Sequence, residues 1–370
     1  MKIVVFCHSL VSDWNHGNAH FLRGVTAELL ERGHDVQVFE PLDGWSRAHL
    51  VVEEGPEAIA DVRRAFPWLS STSYDTAEPD VPAMTDGADL VLVHEWNEPS
   101  LVEAVGRHRA AGGYRLLFHD THHRAATRPE EMARFDLRHY DGVLAFGDVI
   151  RQRYLKHGWA ERAWTWHEAA DVRTFRPLDG VSRRGDLVWI GNWGDGERTR
   201  ELHEFLVEPV RRLGLRAQVY GVRYPEAARD DLRRAGITHG GWRANHRAPS
   251  AFAAHGATVH VPRRPYVEAL PGIPTIRPFE ALACAIPLVS APWDDSEGLF
   301  RPGQDFLVGR TGREVQSHLD DVLHDPELAA SLRRCGLETI RGRHTCAHRV
   351  DELLAIVDEL GPGTGAAAGG

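Results

Sequence analysis

Short apolar runs alternate with amphipathic stretches along this chain, and the alternation occurs twice. It opens with "KIVVF", then "HFLRGVTAELLERG" with helical spacing and Gly33 as its stop, then "DVQVFEP". The rhythm continues through "DLVLVHEW", a helix over 98–111, "YRLLFHD", a helix near 129–138, "GVLAFGD" and a helix over 148–157. Strands alternating with helices predict a parallel sheet covered on both faces. A second series starts at "LVWIGNW" and runs through a helix over 197–213, "AQVYG", a helix over 225–235, "ATVHV", a helix after Thr275 and "PLVS". Helices over 311–324, 326–341 and 345–360 close it. Between the two series lies the polar, proline-bearing "AADVRTFRPLDGVSRRGD". The fold class expected is therefore α/β, with two doubly wound domains at 1–172 and 187–343, a linker at 173–186, a last helix over 344–360 and a flexible tail at 361–370. Open sheets of this kind bind ligands at the carboxyl ends of their strands, so the chemistry is expected in an interdomain cleft.

Composition narrows the function. The 370 residues exceed the usual single core. A net charge of −10 argues against nucleic acid as a partner, because neutralising phosphates needs a basic face. "IVVFC" is followed at once by "HSLVSDWNHG", which leaves no early membrane span or signal peptide, and a cytoplasmic location is expected. Cys7, Cys284, Cys335 and Cys346 are scattered and suggest neither disulfides nor a zinc site. Lysine occurs only at Lys2 and Lys156, few candidates for a pyridoxal-phosphate Schiff base. GxGxxG is absent, against a dehydrogenase, and so is HExxH, against a zinc peptidase.

The segment "GIPTIRPFEALACAIPLVS" (272–290) places Thr275, Arg277 and Glu280 at the mouth of an apolar helix. Thr275 can cap that helix, and Pro278 is tolerated in its first turn. The free N–H groups from Thr275 through Ile276 to Arg277 make an anion site, and Arg277 adds a cationic fork. Glu280, one turn deeper, can accept two hydrogen bonds from a ribose diol. A capped helix with an early glutamate is also ordinary helix chemistry. The apolar company of Glu280 favours a buried, partnered carboxylate. Phosphate beside diol is the outline of a nucleotide.

"PTIRPFEALACAIPLVS", followed by "GLFRPGQDFLV", resembles the donor-binding segment of the GT-B glycosyltransferases, in the family 4-like branch that includes the CgeB spore-maturation proteins. "WHEAADVRTFRP" (166–177) and "HTCAHRVDELL" look like further blocks of that group, and the resemblance spans roughly 160–356. It implies two Rossmann-like domains, the C-terminal one holding a nucleotide-sugar, the N-terminal one facing the acceptor, and a last helix crossing back onto the first domain. It also implies retention of anomeric configuration without an obligate protein nucleophile, and uridine as the commonest base. The nucleotide-sugar is then a co-substrate, with no cofactor. No metal is needed if Arg198, Arg277 and the helix N-terminus hold the leaving diphosphate. Relatives carry two glutamates seven residues apart; Glu280 matches the second, on the ribose, while the first, on the sugar, falls on Gly272. The relatives' two diphosphate cations fall near Asn192 and Arg198. Asn192 cannot be a cation, so Arg277, Arg263 or Arg264 is expected to supply the second charge.

In "GGWR" (240–243), Trp242 either stacks on the base or closes a turn as a core residue. "LLFHDTHHR" sets His119 and Asp120 at a strand end, where the resemblance puts a histidine on the transferred sugar. A metal held by His119, His122 and His123 has no second ligand cluster behind it. In "HEW", Glu95 is an acceptor-orienting group, a base, or a structural ion-pair partner; an inverting enzyme would draw its base from Glu95, Asp120 or His119. Gly17 and Asn18 in "SDWNHGNAHF" stand at a helix start and can approach the acceptor or the diphosphate. The expected activity is hexosyl transfer from a UDP-sugar to an unknown carbohydrate or small-molecule acceptor. Two alternatives stay open: an epimerase or hydrolase of nucleotide-sugars, or a noncatalytic coat protein that keeps the fold.

Overall fold

The computed structural model describes residues 1–194 and 196–361; past Gly361, the tail expected at 361–370 lies outside the described residues. The chain forms two compact units, one made of Met1–Glu168 with the segment from Cys346, the other of Ala169–Thr345.

The first unit holds a sheet of seven parallel strands, β1 (Lys2–Phe6), β2 (Asp35–Pro41), β3 (Thr72–Tyr74), β4 (Leu90–His94), β5 (Arg115–Asp120), β6 (Gly142–Ala145) and β7 (Ala163–Thr165). Their order is β3-β2-β1-β4-β5-β6-β7, and Ile3 pairs with Val36 on one side and Leu90 on the other. β4 is buried along its whole length, which is why it reads as an unbroken apolar run: helices cover both faces. The last helix, Cys346–Leu360, packs against helix Ala19–Glu31. Trp166 Nε1 donates to the Arg349 carbonyl at 2.8 Å and fastens that helix to the segment after β7.

The second unit holds six parallel strands, β8 (Gly185–Ile190), β9 (Ala217–Tyr220), β10 (Thr238–His239), β11 (His255–His260), β12 (Leu288–Ser290) and β13 (Leu307–Val308), ordered β10-β9-β8-β11-β12-β13. Strand order reverses between β1 and β4 in one sheet and between β8 and β11 in the other. Loops leaving the strands on either side of a reversal diverge and open a crevice, and the candidate residues gather at those two places.

Several expectations need correction. The helix near 129–138 does not form. Short turns at Arg124–Thr127 and Pro129–Met132 replace it, broken at Arg128 (φ −143°, ψ 61°), since the residue before a proline is pushed out of helical geometry. β4 ends at His94, leaving Glu95 and Trp96 in the following turn. The helix expected over 197–213 begins at Thr199 and passes through a π-helical stretch, His203–Val207, just before Pro209, whose nitrogen has no hydrogen to donate. The first unit ends at Glu168, ahead of the linker expected at 173–186. Ala170 already bridges to Thr345, with its N–H on the His344 carbonyl at 2.9 Å.

Candidate active site

In the second unit, helix Ile276–Ala283 starts without a side-chain cap, contrary to expectation. Thr275 stands at the cap position with φ 63° and ψ 170°, a region that glycine almost monopolises. Its hydroxyl lies 3.4 Å from His260 Nε2, while Ser290 Oγ sits 2.9 Å from His260 Nδ1. The first turn of the helix therefore keeps its backbone donors for another partner. Arg277 and Glu280 are joined by an ion pair, and Glu280 is 0% exposed. Expected to meet phosphate and ribose separately, these two side chains are held as one unit.

Arg198 bridges the strand-order reversal. Its Nη1 donates to the Val261 carbonyl after β11 at 2.9 Å, and Nη2 donates to the Asn192 carbonyl after β8. The guanidinium lies 5.1 Å from the ring centre of Trp189, and its Nε is buried with no partner. Burial and the charge of Arg263 pull its pKa down, yet it stays a cation at neutral pH. Asn192, instead of a cation, supplies a carbonyl to Arg198 and an amide oxygen to Val222 N at 3.0 Å. Arg264 is turned to Glu201 (3.3 Å) and Arg263 to Glu197 (3.2 Å), so both of these charges are already matched by acids. Trp242 is half-buried in the loop after β10. Gly221 (φ 149°), directly after β9, has to be glycine: a Cβ would stand 2.1 Å from the Gly191 carbonyl oxygen.

At Gly272 (φ 88°) the backbone conformation disfavours the glutamate the resemblance expects. The Cγ and Oε1 atoms of Glu297 stand 2.6 Å from where its Cβ would be.

In the first unit, Thr121 gathers Asn18, His94 and Glu95. Asn18 Nδ2 donates to its hydroxyl, which donates to Glu95 Oε1 at 3.1 Å, and His94 Nε2 lies 3.2 Å away. Glu95 Oε2 is 3.0 Å from the same His94 nitrogen. Burial, and then the charge of Asp120, push the Glu95 carboxyl well above its usual range. Asp120 is also raised by burial, and accepts from Tyr154 Oη at 2.8 Å and His122 N at 2.9 Å, so both oxygens serve the fold. His119 packs edge-on to Trp166 with ring centres 4.8 Å apart; burial lowers its pKa to about 3, and its Nε2 has no partner. Gly17 lies in the turn before helix Ala19–Glu31, with Asn18 at the cap position.

Two residues escaped the sequence reading. The rings of His8, His16, His94 and His119 form a chain with successive centres 5.3, 6.4 and 5.1 Å apart. Burial holds all four imidazoles neutral, and the Nε2 atoms of His8, His16 and His119 are buried without partners. With 22 histidines in the chain, nothing in the sequence singled out His8 and His16. Among the described residues no group of three His, Cys, Asp or Glu side chains is arranged to hold a metal ion, and no helix is long and apolar enough to cross a membrane.

Residues 198–355 match a family described as glycosyl transferase-like. HepE of Anabaena, solved with UDP and glucose, is similar at a TM-score of 0.69 and 13% identity over 97% of this chain and 99% of that one. Sucrose-phosphate synthase of Thermosynechococcus elongatus follows at 0.66 and 13%, over 97% and 99%. An alpha-glucosyltransferase in complex with UDP and a 13-mer DNA gives 0.67 and 12%, over 97% and 100%. A search of curated protein sequences finds no match. The likeness to these solved structures shows the fold, GT-B, and the glycosyl transferase-like match lies within 198–355 of it.

Proposed function

We propose that this protein transfers a hexosyl group from a UDP-sugar to a hydroxyl of a carbohydrate or small-molecule acceptor, with retention and without a metal, in the family 4-like branch that includes the CgeB-type proteins. The observation that carries the reading is the uncapped start of helix Ile276–Ala283, with Thr275 held in a glycine-like conformation and Arg277 paired to Glu280 within the first turn. Backbone donors at a helix N-terminus beside a guanidinium suit the diphosphate. The buried carboxylate of Glu280 suits the ribose, and Trp242 the uracil face. UDP in the HepE complex points to the same base.

In the proposed reaction the acceptor oxygen bonds to the anomeric carbon while the bond from that carbon to the diphosphate oxygen breaks, and its electron pair leaves with UDP. Charge grows on the departing oxygens, where Arg198, Arg277 and the helix N–H groups stabilise it. Retention without a protein nucleophile brings the acceptor to the face the diphosphate leaves. The departing oxygen is then the nearest base and takes the hydroxyl proton. The lowered His119 imidazole, a weak base, supports that assignment. His119 serves as a neutral hydrogen-bonding group on the sugar or acceptor.

A thermal-shift panel of UDP, GDP, ADP, CDP and dTDP, each with and without EDTA, tests the donor half. An EDTA-resistant rise with UDP is expected. No rise with any nucleotide would sink the transferase reading in favour of a noncatalytic protein.

A further inference from the structure

His260, the last residue of β11, is buried between two hydroxyls: Ser290 Oγ is 2.9 Å from its Nδ1 and Thr275 Oγ1 is 3.4 Å from its Nε2. The direction of these bonds follows from the protons present. Ser290 Oγ donates to the Ala291 carbonyl at 2.8 Å, and a hydroxyl has a single proton to give. The proton between Ser290 and His260 is therefore the imidazole's, on Nδ1. Burial, with the charges of Arg198 and Arg277, lowers the His260 pKa to about 3, so at neutral pH the ring holds no second proton. Nε2 is then a bare lone pair, and the Thr275 hydroxyl donates to it. The chain of bonds runs one way, from Thr275 through His260 and Ser290 to the Ala291 carbonyl. Trp293 stands edge-on to the imidazole, ring centres 6.4 Å apart.

A threonine at the cap position of a helix ordinarily turns its oxygen onto the N–H two or three residues further on. Three residues beyond Thr275 is Pro278, which has no N–H, so the group a cap would consume is Arg277 N. Thr275 makes no such bond. Its backbone instead keeps φ 63° and ψ 170°, unfavourable for a branched residue, with the hydroxyl against His260. Ile276 and Arg277 then carry the first-turn N–H groups that no carbonyl of the helix reaches. We propose that His260 is a positioning residue for the donor diphosphate: it draws the Thr275 hydroxyl off the helix and keeps the Ile276 and Arg277 N–H groups for phosphate oxygens. His260 acts through Thr275 and not by touching the nucleotide. This inference rests on the proposed donor site, and it adds to that site a residue from outside the helix.

Calorimetric titration of the full chain with UDP separates the two claims. In His260→Phe, which keeps a ring but offers no lone pair, UDP affinity should fall about 10-fold. Thr275→Val, which keeps the branched shape without the hydroxyl, should show a similar fall, and Thr275→Ser should bind within about threefold of wild type. Glycine takes the Thr275 conformation unaided, so Thr275→Gly should bind UDP as wild type does. In that background His260→Phe should cost less than about twofold, because the residue it acts through is gone. A purely structural role for His260 would lower affinity equally in both backgrounds, and that result overturns the inference. So does an unchanged affinity in Thr275→Val, which leaves the buried imidazole in place and decides the question even where His260→Phe does not fold. Failure of wild type to bind UDP at all overturns the donor-site reading itself.

Discussion

Arg198 Nη1 donates to the carbonyl of Val261 at 2.9 Å, joining the loop that leaves β8 to the loop that leaves β11. The bond spans the point where strand order reverses, which makes one side chain both a clamp on the crevice and a charge beside it.

Replacing Arg198 by Ala removes a charge-assisted pair of donors and leaves two carbonyls without them. UDP affinity should fall about 10- to 100-fold, from a loss of about 1.5–3 kcal/mol, and the melting temperature should drop. Arg198→Lys keeps a charge but not the fork, so it should recover only part of the affinity in the same calorimetric titration.

Glu280→Ala leaves the Arg277 guanidinium without its buried partner, at a cost on the order of 3 kcal/mol in stability. Thermal unfolding reads that loss directly. Glu280→Gln preserves the volume and tests the ribose role more cleanly. If Glu280 binds the ribose, the affinity lost in Glu280→Gln and the affinity lost with 2′-deoxy-UDP should be non-additive in a double cycle. Additive losses would remove Glu280 from the ribose.

Thr275 holds a backbone conformation that favours glycine, with φ 63° and ψ 170°. Thr275→Gly relieves strain of about 1–3 kcal/mol, offset in part by the greater freedom of glycine in the unfolded chain. A net gain of about 1 kcal/mol is expected in urea unfolding, with UDP affinity retained because the donors are backbone groups. A loss of stability would show that the hydroxyl contact to His260 outweighs the strain.

Burial holds His8 near a pKa of about 4, and His119 and His260 near about 3, against an ordinary value of 6.5. The unfolded chain therefore takes up protons first as pH falls, and stability is full above 6.5 and lost progressively from there towards pH 4 and below. Asp120, raised by burial, acts with the opposite sign, since protonation favours its folded form. Urea midpoints at pH 7.5, 6 and 5 should decline in that order, and less steeply in His119→Gln.

The formal charge of −10 argues against a DNA acceptor, although a structural neighbour of this fold was solved with DNA. No mobility shift with a short duplex is expected at physiological salt; a salt-sensitive shift would overturn this.

The sequence by itself determined the two parallel sheets, because a strand buried on both faces must be a continuous apolar run and its covering helices must be amphipathic. "LVLVH" and "HFLRGVTAELLERG" carry that requirement locally. It also marked the entry to helix Ile276–Ala283, where Thr275, Arg277 and Glu280 are neighbours along the chain. Tertiary structure alone decided what each side chain meets. It turned Arg264 to Glu201, fixed Asp120 on Tyr154, and packed Glu297 against Gly272 from a turn twenty-five residues later in the chain. Such contacts depend on which loops the strand order brings to one edge of a sheet. Local pattern carries no record of that order, because helix and strand periodicity specify which face is buried and not which neighbour buries it.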